Sequence, residues 1–259
     1  MAKGNRGGQR ANTSLSGSGN IQPTPTQQTQ PTQPQVDDTQ QAQAMSAQYD
    51  AFMQMSDDQK ADVIDSMIKQ GVPAHLADND FQKMIYNIGL NDKPQLVDDA
   101  TLDSMNGTEL FRTINNVYDS QNDISYTADQ IARQVQAGRV TRVSDNGGSV
   151  YGRGIYFADN QRESSYYGNT RGNVKKTAQI RCKLNGNANI INHSKAVQGV
   201  RTEINNNTKL GKVLRKCDTH SQASIYALAK GYNVIISGHG YYNVLNRNAV
   251  TMSTSINSI

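Results

Sequence analysis

One stretch of this chain combines residue types that can bind a flat, polar ligand. Gly152 and Gly154 frame a turn, where glycine permits positive φ and a close approach of the backbone to a ligand. Tyr156 follows in a short apolar run that favours a half-buried strand. Tyr167 comes eleven residues later, so an intervening turn can return its ring to face the first. Two facing rings beside exposed backbone amides form a slot for a polar heteroaromatic group.

A second interpretation of the same residues needs no ligand. A glycine-rich β-turn can precede a strand whose tyrosines pack into the core, and short motifs often match by chance. The pattern alone leaves the binding slot and the structural turn equally open.

Residues 152–159, Gly-Arg-Gly-Ile-Tyr-Phe-Ala-Asp, resemble a signature of the ADP-ribosyltransferases, in particular of the poly-ADP-ribose polymerase branch. The resemblance implies that Tyr156 and Tyr167 sandwich the nicotinamide of NAD. It also implies that Ser164, together with the backbone at Gly154, hydrogen-bonds the carboxamide. NAD is then a substrate, and these residues are its candidate binding site.

A second signature stands in family order before the first. Residues 109–112, Glu-Leu-Phe-Arg, resemble the Leu-Tyr-Arg strand of the arginine-type branch. The resemblance implies that Arg112 binds the NAD phosphates. A planar guanidinium suits this role because it can donate two parallel hydrogen bonds to phosphate oxygens. An exposed strand arginine without a ligand is the alternative.

The third signature is only partly present. Residues 241–247, Tyr-Tyr-Asn-Val-Leu-Asn-Arg, resemble the run Glu-Tyr-Val-Val-Phe-Asn-Pro of active relatives, whose glutamate stabilises the oxocarbenium-like transition state. The alignment places Tyr241 at that glutamate and His239 two residues earlier, where some branches carry another acid. These two residues mark the candidate catalytic region, but a phenol cannot supply the negative charge that a developing cation needs.

The chain has three glutamates, and none lies in this hairpin: Glu109, Glu163 and Glu203. Glu163 stands where the family has a lysine, so any role of that lysine is lost. The resemblance covers residues 105–252. Because the hairpin lacks the catalytic glutamate, the resemblance implies NAD binding with slow or absent turnover, unless Glu163 or another acid reaches the cleft.

Three functions follow as hypotheses. The first is a mono-ADP-ribosyltransferase that passes ADP-ribose from NAD to a macromolecular acceptor, most simply a protein. The second is a catalytically inactive structural or cargo component of a phage particle that retains the fold, since the layout is similar to phage proteins encoded near head and tail genes. The third is a nucleic-acid-binding packaging protein, which lacks the interleaved aromatic residues of a single-strand binder.

Charge is distributed unevenly along the chain. Residues 106–259 hold 19 Lys and Arg against 9 Asp and Glu, a net charge of +10. Residues 45–105 hold 4 against 11, a net charge of −7. A basic module suits a dianionic dinucleotide and equally suits nucleic acid. The acidic segment can also contact the basic module within the molecule.

Composition divides the chain into three parts. Residues 1–44 hold four of the six prolines and almost no large apolar side chains, which predicts a disordered arm. Residues 45–104 carry apolar residues at helical spacing and predict a small helical segment docked on the next domain. Residues 105–259 alternate strand and helix patterns. We predict an α+β fold there, an ADP-ribosyltransferase-like domain with a split, mostly antiparallel sheet and flanking helices.

Individual elements follow from turn and cap signals. Helices are predicted from Ser56 onward and from the capping-box pair Thr127 and Gln130. Further helices are predicted at residues 209–217 and 221–230, and strands at 177–184, 189–192, 234–237 and 242–245.

Other classes of protein and site find little support. There is no apolar signal-peptide region near Met1 and no run that could span a bilayer, so we expect a cytoplasmic or virion-associated protein without membrane contact. Cys182 and Cys217 have no disulfide or metal spacing and are expected to be reduced core thiols. The four histidines are scattered along the sequence and predict no metal site.

Deleting residues 1–44 should leave the melting temperature of the remaining chain unchanged, because the deleted segment has too few apolar side chains to pack on it. Thermal unfolding of the full and shortened chains tests this. A large drop in melting temperature would show that the arm is docked.

Overall fold

A computed structural model describes residues 47–90, 92–120, 123–139, 150–169 and 177–258, without the side chains of residues 167–169. The described chain is mixed α+β, with helices around a mostly antiparallel sheet, as predicted. The predicted arm, residues 1–44, lies outside the described residues.

The sheet has nine strands, eight of which follow the order β1-β10-β6-β2-β5-β9-β8-β7, while β11 pairs with β6. A separate hairpin joins β3 and β4. The pairs β1–β10 and β7–β8 at the two edges are parallel, and the other pairs are antiparallel. The strand bounds are β1 Gln95–Val97, β2 Glu109–Asn115, β3 Val117–Asp119, β4 Ile124–Tyr126, β5 Ile155–Ala158, β6 Thr177–Leu184, β7 Ile190–Asn192, β8 Val234–Ile236, β9 Tyr241–Val244, β10 Val250–Ser253 and β11 Asn257–Ser258.

The sheet is split near its middle. Strands β2 and β5 are joined by one register pair, Phe111 with Ala158. On one side of this junction β2 pairs with β6 over seven residues, and on the other β5 pairs with β9 over four. The two halves are therefore tied along a short seam, where their strands can diverge.

Two helices, α2 and α5, begin at the polar caps that the sequence indicates, whereas the helix predicted from residue 221 begins at Thr219 with Asp218 as its cap. The side chains of Ser56 and Thr127 accept from the amides of Gln59 and Gln130 in two capping boxes. None of the described helices is long and apolar enough to cross a membrane. The helix bounds are α1 residues 47–54, α2 Asp57–Ile68, α3 Asp80–Asn87, α4 Asp99–Ser104, α5 Ala128–Gln136, α6 Gln161–Asn169, α7 His193–Asn205, α8 Lys209–Leu214 and α9 Thr219–Ala229.

Two hydrophobic clusters cover the sheet. One joins α1–α3 with α7–α9 through buried residues such as Phe52, Met84 and Leu214. The other packs α5 against β2, β5, β6 and β10 through residues such as Ile131 and Phe157. The predicted helical segment, residues 45–104, thus shares a continuous core with the C-terminal helices. It also supplies strand β1, which helical periodicity did not predict.

The acidic segment forms ion pairs with the basic part of the chain. Asp62 pairs with Lys209 at 3.1 Å, and Asp65 pairs with Lys216 at 3.0 Å. Hydrogen bonds from Lys69 and Lys216 lower the pKa of Asp65. The segment therefore neutralises part of the positive charge carried by residues 106–259.

A buried ion pair fastens the corner between β9 and β10. Arg247 is fully buried, and its Nε and Nη2 atoms donate to Asp92 Oδ2 at 2.9 and 2.7 Å. Its Nη1 atom donates to the carbonyl oxygen of Val135 at 2.8 Å. One guanidinium therefore links the segment before β1, the end of α5 and the β9–β10 corner.

Replacing Arg247 with leucine should destabilise the fold by about 3–5 kcal/mol, because the Asp92 carboxylate is left buried without its partner. The double variant Arg247→Leu/Asp92→Leu should recover part of this loss. Urea unfolding measures both. Arg133→Leu is the matched control, since Arg133 forms an exposed pair with Asp129 and should change stability by at most about 1 kcal/mol. An Arg247→Leu effect as small as that of the control would contradict the structural role of the pair.

Candidate functional site

The glycine turn before β5 has the backbone geometry that its sequence predicts. Gly152 has φ of +97° and Gly154 has φ of +149°, a region that disfavours side chains. A methyl group at Gly154 would overlap the Asn243 amide and lie 2.9 Å from the carbonyl oxygen of Val244. Both glycines are required because β9 and α9 approach the turn closely.

Two elements, β9 and α9, fasten this turn in place. The buried amide of Asn243 donates from Nδ2 to the carbonyl oxygens of Tyr151 and Arg153, each at 3.1 Å. Ser224 donates to the Arg153 carbonyl at 2.7 Å, and the Arg153 amide donates to the His220 carbonyl at 3.1 Å. The turn is thus held rigidly against β9 and the first half of α9.

Tyr156 forms part of the same assembly. Its hydroxyl accepts from the Tyr151 amide at 2.9 Å and donates to the Gly152 carbonyl at 2.6 Å. The ring lies 6.5 Å from the ring of Tyr151. These contacts fix the orientation of the Tyr156 ring, which supports the turn and is half-exposed beside it. The ligand slot stays a prediction.

Helix α6 brings Ser164 to the sheet. The side chain of Asn160 caps the helix by accepting from the amides of Arg162 and Glu163, at 2.8 and 3.1 Å. The buried Ser164 hydroxyl lies 3.0 Å from the hydroxyl of Thr113 on β2. Tyr167 lies further along α6, and its side chain is outside the described residues, so the facing of the two tyrosine rings stays a prediction.

Tyr241 lies at the start of β9, opposite Ala158 of β5. Its hydroxyl hydrogen-bonds Glu163 Oε2 at 3.1 Å, so a carboxylate from α6 lies at the end of the Tyr241 side chain. The Tyr241 ring stacks on Tyr151, with centroids 6.3 Å apart and planes inclined by 18°.

Two residues of this cluster were missed by the sequence analysis. Tyr151 packs between the rings of Tyr156, Tyr241 and His193, the last edge-on at 5.2 Å. Burial lowers the pKa of His193, so its imidazole is neutral at pH 7. Tyr151 directly precedes Gly152 and could have been included in the motif. His193 begins α7, and its sequence surroundings carry no comparable signal.

Arg112 approaches the site from the other side of the sheet. Partners in antiparallel register share a face, so Phe111 lies on the face of Ala158 and Tyr241. Arg112 alternates with Phe111 and leaves β2 on the opposite face. Its Nη1 atom donates to the Tyr156 carbonyl oxygen at 3.0 Å. Arg112 therefore supports the backbone of β5, and its role at the NAD phosphates stays a prediction.

His239 lies apart from the ring cluster, in the exposed turn between β8 and β9. Its amide and that of Tyr241 both donate to Ser237 Oγ at 3.2 Å. Gly240 follows with φ of +74°, where a side chain would overlap the Asp159 carboxylate. The turn fixes the start of β9, and with it the position of Tyr241.

Other groups in the described chain offer little chemistry. Both cysteines are buried, and burial raises the pKa of Cys217 to about 12 and that of Cys182 still further, so neither is a reactive thiolate. Among the described residues, no group of three His, Cys, Asp or Glu side chains could hold a metal ion. An open depression of about 620 Å³ lies beside α6, lined by Phe111, Asn160, Gln161, Arg162 and Ser165.

Asp218 connects the glycine turn to the helical core. Its carboxylate lies 3.9 Å from Arg153 Nε and accepts from Ser221 Oγ at 2.5 Å and from the Asp80 amide at 3.2 Å. Burial alone would raise the pKa of Asp218, but these hydrogen bonds and Arg153 hold it below its ordinary value. The ionised carboxylate thus joins the starts of α3 and α9 to the turn.

Compared with protein-family models, with curated proteins and with solved structures, the chain matches none of them. The resemblance to ADP-ribosyltransferases therefore rests on the sequence motifs.

Acid should weaken the fold in part through Asp218. A carboxyl whose folded-state pKa is lowered contributes stability above its unfolded value of about 3.9, and this contribution is lost as the pH falls through the folded value. Asp218→Asn should therefore flatten the fall in unfolding free energy between pH 6 and about pH 3. Urea unfolding across this range measures it. Asp129→Asn, in an exposed pair, should keep the wild-type slope, and a wild-type slope in Asp218→Asn would contradict the assignment.

Proposed function

We propose that this chain binds NAD beside the glycine turn, α6 and the start of β9, as an ADP-ribosyltransferase-like protein. One observation carries the proposal. Three parts of the matched signatures lie beside one face of β5 and β9: the turn with Tyr156, the first turn of α6 with Ser164, and Tyr241, whose hydroxyl contacts Glu163 of α6 across 78 positions of sequence.

The fold supports the same proposal. A mostly antiparallel sheet that is split between β2 and β5 agrees with an ADP-ribosyltransferase-like domain, in which NAD lies between two half-sheets. The 3.0 Å contact between Ser164 and Thr113 spans this junction and joins α6 to the first half-sheet. A carboxamide seated there would meet a hydroxyl that can both donate and accept.

In the proposed complex, Tyr156 and Tyr167 stack on the nicotinamide, and Ser164 with the Gly154 backbone holds the carboxamide. The resemblance assigns the phosphates to Arg112. Because Arg112 leaves β2 on the opposite face and donates to the Tyr156 carbonyl oxygen, this contact requires its guanidinium to leave that oxygen and reach across the β2–β5 junction. ADP-ribose then passes from NAD to a macromolecular acceptor, which we propose is a protein.

A second candidate function is supported by Tyr241 itself. The start of β9 carries a phenol where active relatives carry a carboxylate, which favours a protein that keeps the fold without the transfer reaction. Such a protein would be a structural or cargo component of a phage particle. Nicotinamide release from NAD separates this candidate from the enzyme.

Isothermal titration calorimetry with NAD tests the binding proposal. Wild type should bind NAD, and Ser164→Ala should weaken binding about 5- to 10-fold, the effect of losing one hydrogen bond. Ser165→Ala is the matched control, because this neighbouring hydroxyl donates to the Gln161 carbonyl within α6, and it should bind as wild type does.

Two ligand fragments locate the contacts. Nicotinamide alone should show the Ser164→Ala effect, whereas ADP-ribose should instead be weakened by Arg112→Lys, which loses the guanidinium fork. Failure of wild type to bind NAD at millimolar concentration would refute the proposal. Equal binding by Ser164→Ala and Ser165→Ala would refute the assigned position of the carboxamide.

A further inference from the structure

Cleavage of NAD at the nicotinamide bond makes a specific demand on the site. The bond between ribose C1′ and the nicotinamide nitrogen breaks, and its electron pair leaves with neutral nicotinamide. Positive charge develops on C1′ and the ring oxygen of the ribose, and a preorganised negative group beside them lowers the barrier. The following inference rests on the proposed function and asks which group supplies that charge.

The three glutamates differ in their surroundings. Glu109 pairs with Arg181 at 2.9 Å, on the strand beyond the junction. Glu203 pairs with Lys230 at 3.0 Å and accepts from Thr208, within the helical core. Glu163 is exposed, and its Oε2 atom lies 3.1 Å from the Tyr241 hydroxyl. Of the three, Glu163 is therefore the glutamate that faces the candidate site.

The aspartate nearest in sequence is directed elsewhere. Asp159 follows β5 and alternates with Ala158, so it leaves the strand on the face of Phe157, opposite to Tyr241. Burial raises the pKa of Tyr242, which shares that face, and the negative charge of the nearby Asp159 raises it further. Asp159 therefore does not compete with Glu163 for the site.

We infer that Glu163 is the catalytic carboxylate of this site, supplied from α6, and that Tyr241 is the residue that positions it. The phenol donates to the carboxylate and directs one oxygen over the start of β9. Stacking on Tyr151 holds the Tyr241 ring, and the Asn160 cap holds the first turn of α6. The chain thus replaces one strand glutamate by a tyrosine–glutamate pair.

The reaction balances with the groups present. Glu163 remains ionised and stabilises the cationic ribose while nicotinamide departs. Water or a nucleophilic side chain of the acceptor then bonds to C1′ and loses one proton to solvent. With water, the products are ADP-ribose, nicotinamide and one proton.

Nicotinamide release and NAD binding, measured side by side, test this assignment. Glu163→Gln should lower the rate of release about 10²- to 10³-fold, with an NAD dissociation constant within about threefold of wild type. Glu109→Gln is the matched control and should release nicotinamide as wild type does. Equal melting temperatures of the variants exclude unfolding as the cause.

The positioning role of Tyr241 is tested by a quantity that would not change if this side chain only stabilised the fold. Tyr241→Phe should lower kcat about tenfold and leave KM unchanged, because the carboxylate is misdirected but present. The double variant Glu163→Gln/Tyr241→Glu should recover release relative to Glu163→Gln, because it returns a carboxylate to the start of β9. Recovery in the double variant cannot come from restored packing.

The outcomes separate this inference from the binding proposal. NAD binding without nicotinamide release by wild type overturns the role of Glu163 and leaves the binding proposal standing. Nicotinamide release by the Glu163→Gln variant at the wild-type rate would likewise overturn the role of Glu163 and leave the binding proposal standing. Absence of NAD binding by wild type overturns both. Loss of release in Glu163→Gln with intact binding, together with recovery in the double variant, supports the pair.

Discussion

The pairing of β5 with β9 sets the geometry of the candidate site, because side chains alternate between the two faces of a sheet. This register places Tyr156 opposite Asn243 and Ala158 opposite Tyr241, so these side chains share one face. A slip by one residue would send Tyr241 to the other face and bury a polar hydroxyl against the α5 core. The Asn243 amide opposes such a slip, since its two hydrogen bonds reach the glycine turn from this register.

The helical core contributes to the site through that same turn. Helix α9 supplies the Ser224 hydroxyl and the His220 carbonyl that hold Arg153, and α9 itself packs among α1–α3 and α7. The acidic segment is therefore a structural part of the site's support, joined to it by a shared core and by ion pairs.

Local signals predicted much of the fold, and long-range contacts explain the rest. The strand predicted at residues 177–184 coincides with β6, and Thr127 caps α5, because turn and cap residues mark these boundaries within a few positions. Strand β1 was missed because three residues carry no periodicity. The Asn243 brace and the Tyr241–Glu163 contact join residues about 90 and 78 positions apart, and single-sequence patterns do not encode such pairs. The face of the sheet on which Arg112 leaves β2 likewise follows from the pairing of β2 with β5, which the sequence alone does not show.

The proposed transfer of the catalytic charge from a strand to a helix would change how the site is assembled. The first turn of α6 carries both Glu163 and Ser164, so the proposed carboxamide contact and the carboxylate belong to one rigid unit. Ser164 already lies 3.0 Å from Thr113 of β2, and Glu163 already contacts the Tyr241 hydroxyl at 3.1 Å. In the proposed site, one helix therefore aligns the carboxamide contact and the charge together, whereas a strand glutamate would be aligned independently of Ser164.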